Sequence, residues 1–205
     1  MKKVSIVGLG YVGLPLALLA AKKGYRVIGI DLDEEKIYKI NQQKDPIKED
    51  YVDKNIKNSS LKATTSFKPL NDSNIVIICV PTPIKNDYQP DLSTLEGAVK
   101  STAKNLRKGS LVIVESTINP GVCDEIVIPL MERESGFKVN KEFLISHCPE
   151  RINPGDRRWN VENIPRIVGS SSPGALKKTI AFYETIIDAP IKPMASIKEA
   201  EAVKV

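Results

Sequence analysis

The run VSIVGLGYVGLP at residues 4–15 sets three glycines, Gly8, Gly10 and Gly13, between a short apolar segment and the start of a helix-patterned one. No other feature constrains the fold as strongly. A strand that turns at once into a helix needs a residue tolerant of positive φ at the turn. It also needs one without a side chain where backbone meets a ligand, and one that lets helix and strand touch. The helix N-terminus then aims its free N–H groups at whatever fills the turn, an arrangement suited to a pyrophosphate. A second apolar segment, RVIGID, ends in Asp31 at the spacing of a strand–helix–strand unit. A carboxylate there accepts hydrogen bonds from an adenosine ribose and repels a 2′-phosphate, which predicts NAD rather than NADP. The alternative for Asp31 is an N-cap of the helix that follows.

Four further segments, NIVIICV, SLVIVES, EFLISHC and RIVGS, are short, rich in β-branched residues and apolar nearly throughout. That is the pattern of strands covered on both faces. Helix-length stretches lie between strands, at 13–23, 34–42, 93–106, 121–134 and 174–187. Alternating strand and helix predicts an α/β fold: a Rossmann-like, doubly wound and mostly parallel sheet with helices on both faces. Ligands of such sheets bind where the strands' carboxyl ends open into loops. Two irregular stretches, Pro81–Pro90 and Pro149–Pro165, are long enough to suggest functional loops. After Pro193 a new helix begins, with Ser196 as N-cap and Glu199 as its capping-box partner. The reading is therefore a domain over 1–193 followed by the start of a central helix over 194–205.

The bulk properties exclude several classes. The net charge of +5 comes from basic residues scattered among acids, without the aromatic-studded basic stripe of a nucleic-acid surface. No apolar stretch is long enough to span a bilayer, and the glycine-interrupted N-terminus is not a secretory signal. Three cysteines, Cys79, Cys123 and Cys148, are too widely spaced for a zinc site and odd in number for a disulfide framework. They read as reduced thiols in a cytoplasmic protein, and no metal site is predicted. Cys123 opens a helix, where a thiolate gains some stabilisation. His147, the only histidine, sits at a strand end without a partner for general-base chemistry and reads as structural.

Three more segments lie at strand ends: Val80-Pro81-Thr82-Pro83, Glu115-Ser116-Thr117-Ile118-Asn119-Pro120-Gly121 and Cys148-Pro149-Glu150-Arg151-Ile152-Asn153-Pro154-Gly155. Singly, the first reads as a rigid loop and the second as hydroxyl caps of a helix about as readily as ligand contacts. Together with GLGYVGLP and the closing AEAVK, in order and spacing, they resemble the UDP-glucose/GDP-mannose dehydrogenase family of nucleotide-sugar 6-dehydrogenases. The resemblance spans essentially the whole chain.

The resemblance implies oxidation of the C6 alcohol of a UDP-linked sugar to a carboxylate with two NAD, through a cysteine-bound intermediate. By it, Gly8, Gly10, Tyr11, Val12 and Gly13 hold the pyrophosphate, Asp31 and Lys36 the adenosine ribose, and Thr82 and Thr117 the nicotinamide side. Glu150 handles the hydrolytic water, Arg151 and Ile152 touch substrate, and Lys204 contacts substrate and stabilises oxyanion charge. Thr117, Glu150 and Lys204 form the implied catalytic set. The UDP-glucose enzymes carry NPEFLREG where this chain has CPERINPG, which points instead to a UDP-N-acetylhexosamine such as UDP-N-acetylmannosamine or UDP-N-acetylglucosamine. The family's nucleophilic cysteine and UDP-binding domain are expected beyond Val205, so the chain alone is expected to bind NAD without turning over. The complete enzyme is expected to be a homo-oligomer.

Overall fold

The computed structural model describes residues 2–150 and 159–204. Among the described residues eight strands form one sheet: β1 (Lys3–Val7), β2 (Arg26–Ile30), β3 (Lys62–Thr64), β4 (Ile75–Ile78), β5 (Leu111–Val114), β6 (Leu144–His147), β7 (Arg166–Ser170) and β8 (Ile191–Pro193). Their spatial order is β3-β2-β1-β4-β5-β6-β7-β8. The chain winds outward through β2 and β3, returns to β4 beside β1, and winds outward again. The β1/β4 boundary is thus the point where the strand order reverses, and a crevice opens there at the carboxyl ends.

Period-two alternation divides the core between two faces. Ile75 and Ile77 of β4 and Leu111 and Ile113 of β5 face one side, where they join α1 (Gly13–Lys22), α3 (Asp50–Ile56) and α6 (Pro173–Glu184). Val76, Ile78, Val112 and Val114 face the other side and meet α4 (Ser93–Lys104) and α5 (Ile128–Ser135). Both central strands are buried along their whole length, as their unbroken apolar composition requires. The doubly wound, mostly parallel architecture is as the sequence predicts.

Several local features depart from the sequence reading. The stretch read as one helix over 121–134 begins with a π turn at Cys123–Val127 and becomes α-helical only at Ile128. Pro129 has no N–H to complete the α-helical ladder, and the wider turn upstream accommodates that loss. The helix α3 and the strands β3 and β8 carry no strong periodicity and were not predicted; β3 and β8 are three-residue strands at the two edges of the sheet. Strand β7 pairs antiparallel with β6, so its first residue, Arg166, returns to the carboxyl edge. Ser196 caps α7 (Ile197–Ala202) by accepting from Glu199 N–H, but the Glu199 carboxylate takes the Ala195 N–H rather than that of Ser196. α7 lies so close to β7 that a Cβ on Gly169 would stand 2.2 Å from the Ser196 carbonyl. No helix among the described residues is long and apolar enough to cross a membrane.

Candidate functional site

The crevice at the β1/β4 boundary opens into a cleft of about 820 Å³, within the size range of small-molecule sites. Gly8, Gly10, Tyr11, Val12, Asp31, Lys36, Thr82, Thr117 and Lys204 all line it. Gly13 lies beneath them. Gly8 turns the chain at φ +92°, and a Cβ there would sit 2.7 Å from the Cys79 carbonyl; one on Gly13 would lie 1.9 Å from the Gly8 carbonyl. Gly10 differs, because a Cβ there meets nothing within 4 Å and would project into open space. Two of the glycines therefore serve packing, while Gly10 leaves backbone bare on the cleft wall, where a pyrophosphate could approach closely.

At one end of the cleft Asp31 closes β2. Its Oδ2 accepts from Leu9 N–H and Lys36 Nζ, both at 2.8 Å, and its Oδ1 accepts from Asp33 N–H at 3.1 Å. Partial burial works to raise its pKa, but the Lys36 ammonium and the two backbone donors prevail and hold the carboxyl below its ordinary value. An ionised carboxylate offers about four lone-pair sites, so capacity remains for ribose hydroxyls. The helix α2 (Glu34–Asn41) is capped by Asp33, not Asp31, which removes the N-cap alternative for Asp31.

At the other end two loops are clamped together. Thr82 Oγ1 donates to the Thr117 carbonyl at 2.6 Å, and Ser116 Oγ donates to the Val80 carbonyl at 2.7 Å. The hydroxyls of Thr82 and Ser116 thus cross-link the loops after β4 and β5 instead of capping a helix. Glu201, fully buried on α7, accepts from Gly121 N–H at 2.6 Å and Cys123 N–H at 2.9 Å. That carboxylate satisfies the free donors at the π turn and fixes α7, with Lys204 three residues on, against the loop bearing Thr117.

Beneath this end lies a buried ionic cluster. Arg166 Nη1 stands 3.3 Å from Glu115 and in tight contact with Glu150, and Tyr183 donates its hydroxyl to Glu115. Arg166, Glu115 and Glu150 are each at most 2% exposed. The antiparallel entry of β7 makes the cluster possible, because it brings a guanidinium to the edge where β5 and β6 release their carboxylates. Glu150 therefore sits behind the cleft in an ion pair rather than on its wall, while Glu115, to which the sequence assigned no role, lines the cleft with Cys79. Arg151 and Ile152 lie outside the described residues.

The thiols are poor nucleophiles. Burial pushes Cys79 and Cys123 well up, with Glu115 and Glu201 respectively adding to the shift, and pushes Cys148 to about 12. For Cys123 this reverses the expectation of a stabilised thiolate: the helix-terminal N–H groups are spent on Glu201, whose charge opposes a second anion. Burial lowers His147 to about 3, so its imidazole is neutral near pH 7.

The model of the UDP-glucose/GDP-mannose dehydrogenase family, NAD binding domain, matches residues 2–187. The chain belongs to this family. A UDP-N-acetyl-D-glucosamine 6-dehydrogenase of Pseudomonas aeruginosa is 40% identical over 203 residues, which is 99% of this chain and 48% of that protein. The structure of a UDP-D-ManNAc dehydrogenase from Pyrococcus horikoshii superposes with a TM-score of 0.92 at 36% identity, over 99% of this chain and 49% of that one. A GDP-mannose dehydrogenase from Pseudomonas aeruginosa, solved as a ternary complex, gives 0.90 at 31%, over 100% and 48%. The chain thus spans about half the length of the curated relatives it matches. A 3-hydroxyisobutyrate dehydrogenase of Mycobacterium tuberculosis, at 17% identity and a TM-score of 0.71, shares the fold. As the family's NAD-binding domain, the chain fits its cofactor through the bare Gly10 backbone and the ionised Asp31.

Proposed function

We propose that this chain is the cofactor half of a dehydrogenase that oxidises C6 of a UDP-N-acetylhexosamine from alcohol to carboxylate. The overall balance is a CH2OH group, water and two NAD+ yielding a carboxylate, two NADH and three protons. NAD supplies the hydride acceptor. The observation that carries the reading is Lys204 on the wall of the same cleft as Gly10, Asp31, Thr82 and Thr117. A cation beside the cofactor's reactive end stabilises the oxygen anion that forms as hydride leaves carbon. Thr82 and Thr117 hold the nicotinamide side, Arg151 and Ile152 contact the sugar, and Glu150, held by Arg166 behind the cleft wall, orients the hydrolytic water. The nucleophile for the covalent step is not Cys79, Cys123 or Cys148, because each is a buried neutral thiol.

The N-acetylated sugar is favoured over UDP-glucose by CPERINPG, and by relatives whose names specify UDP-N-acetyl-D-glucosamine and UDP-N-acetyl-D-mannosamine. NAD use and buried free thiols suit a cytoplasmic protein. The family resemblance also implies that the complete enzyme is a homo-oligomer. The test is NADH formation at 340 nm by the protein carrying this chain, with UDP-N-acetylmannosamine, UDP-N-acetylglucosamine and UDP-glucose offered separately. Faster turnover of an N-acetylated sugar supports the assignment, and preference for UDP-glucose overturns it.

A further inference from the structure

The buried ionic cluster bears differently on the two redox forms of the cofactor. Glu115 is 2% exposed, yet it reaches the cleft between the β4 and β5 loops, on the opposite side of the glycine turn from Asp31. Adenosine sits toward β2 in such a sheet, so Glu115 lies at the nicotinamide end. Tyr183 donates its hydroxyl to this carboxylate, Cys79 Sγ lies 3.9 Å from it and Arg166 Nη1 3.3 Å. Burial pushes the thiol and the phenol up, so both keep their protons to donate. Burial raises Glu115 as well, with Arg166 and Tyr183 opposing it. A carboxylate accepts from the Tyr183 hydroxyl and the Cys79 thiol and pairs with the Arg166 cation, whereas a protonated carboxyl would turn a hydrogen against one of them.

Among the described residues Glu115 and Glu150 share the guanidinium of Arg166, and of the two carboxylates Glu115 is the one that reaches the cleft. Lys204 lines the same cleft but is only half-buried, so water screens its charge more than that of the sealed cluster. Oxidised nicotinamide is a cation; reduced nicotinamide is neutral. We infer that Glu115, backed by the Arg166–Glu150 pair, biases the cleft toward NAD+ over NADH. The inference rests on the dehydrogenase reading and gives it a use. Two oxidations of one sugar require NADH to leave and NAD+ to enter between them, and a site that discriminates against NADH speeds that exchange.

Calorimetric titration of the chain with NAD+, NADH and ADP-ribose tests this without turnover. Glu115→Gln should raise the ratio of the NAD+ Kd to the NADH Kd by about tenfold, the effect of one attenuated unit charge, while ADP-ribose, which lacks the nicotinamide, changes by less than about twofold. Glu115→Met, similar in volume and placing no N–H against these three groups, is the second variant should the amide disturb folding. An unchanged ratio in either folded variant overturns the inference and leaves the cofactor assignment standing. A parallel loss for all three ligands makes Glu115 a structural group only, which also overturns it. Failure of the wild-type chain to bind NAD+ sinks the cofactor reading and the inference together.

Discussion

The two ends of the cleft are built on opposite principles. At the adenosine end one carboxylate, Asp31, is held by neighbours close in sequence or in the adjoining turn, and it remains partly open to solvent. At the nicotinamide end Glu115, Glu150, Arg166 and Tyr183 converge from β5, the loop after β6, β7 and α6, and none is exposed. The first arrangement is local and leaves the carboxylate with capacity for a ligand. The second is a long-range device whose failure costs stability, because charges sealed from water depend on their buried partners.

Arg166→Ala gives the largest expected effect that separates the ends. It removes the Arg166 cation from two buried carboxylates and should destabilise the chain by about 3–5 kcal/mol, read as a shifted midpoint in chemical denaturation. A change below about 1 kcal/mol would show that the cluster is solvated after all. Glu201→Ala comes next. It deprives two N–H groups of their acceptor and should cost about 2–4 kcal/mol, with faster amide exchange at Gly121 and Cys123. Unaltered exchange there would refute the tie between α7 and the Thr117 loop.

This contrast explains what the sequence revealed. The glycine turn, Asp31 and the apolar strands were legible because each acts within one strand–turn–helix unit, where spacing alone fixes geometry. Arg166 looked like an ordinary strand-opening arginine, since only the antiparallel pairing of β7 brings it to the ligand edge. Glu115 was visible inside its motif but without a role, because its partners Arg166 and Tyr183 are remote in sequence. Glu150 stood out inside its motif, yet its burial behind the cleft could not be seen without Arg166. The π turn before α5 escaped a periodicity reading that assumes regular helix, although Pro129 marked the place.

Smaller effects sharpen the comparison at the adenosine end. Asp31→Asn keeps the shape and removes the charge; NAD affinity should fall about tenfold, with stability lowered by about 1 kcal/mol through weaker bonds to Leu9 and Lys36. Affinity unchanged within twofold would mean that the ribose is read elsewhere. The smallest predicted effect is in acid, where the two carboxylates have opposite signs. The folded-state pKa of Asp31 is depressed, so its stabilisation is present above the unfolded value near 3.9 and is lost as pH falls through the lower folded value. The folded-state pKa of Glu115 is raised, so its ionisation cost is absent below the unfolded value near 4.3 and grows as pH rises to the folded one. Denaturation profiles from about pH 3 to 7 should therefore lose part of the acid limb in Asp31→Asn. In Glu115→Gln, stability should instead decline less as pH rises above about 4.3. Shifts of the same sign in both variants would contradict the assignment of opposite environments.

The central claim is that this cleft is an NAD site whose adenosine end is defined by Asp31. Titration of NAD and NADP into the chain by calorimetry tests it most directly. The account predicts binding of NAD, with NADP weaker by at least about tenfold because its 2′-phosphate meets an ionised carboxylate. Equal affinities, or tighter binding of NADP, would contradict it.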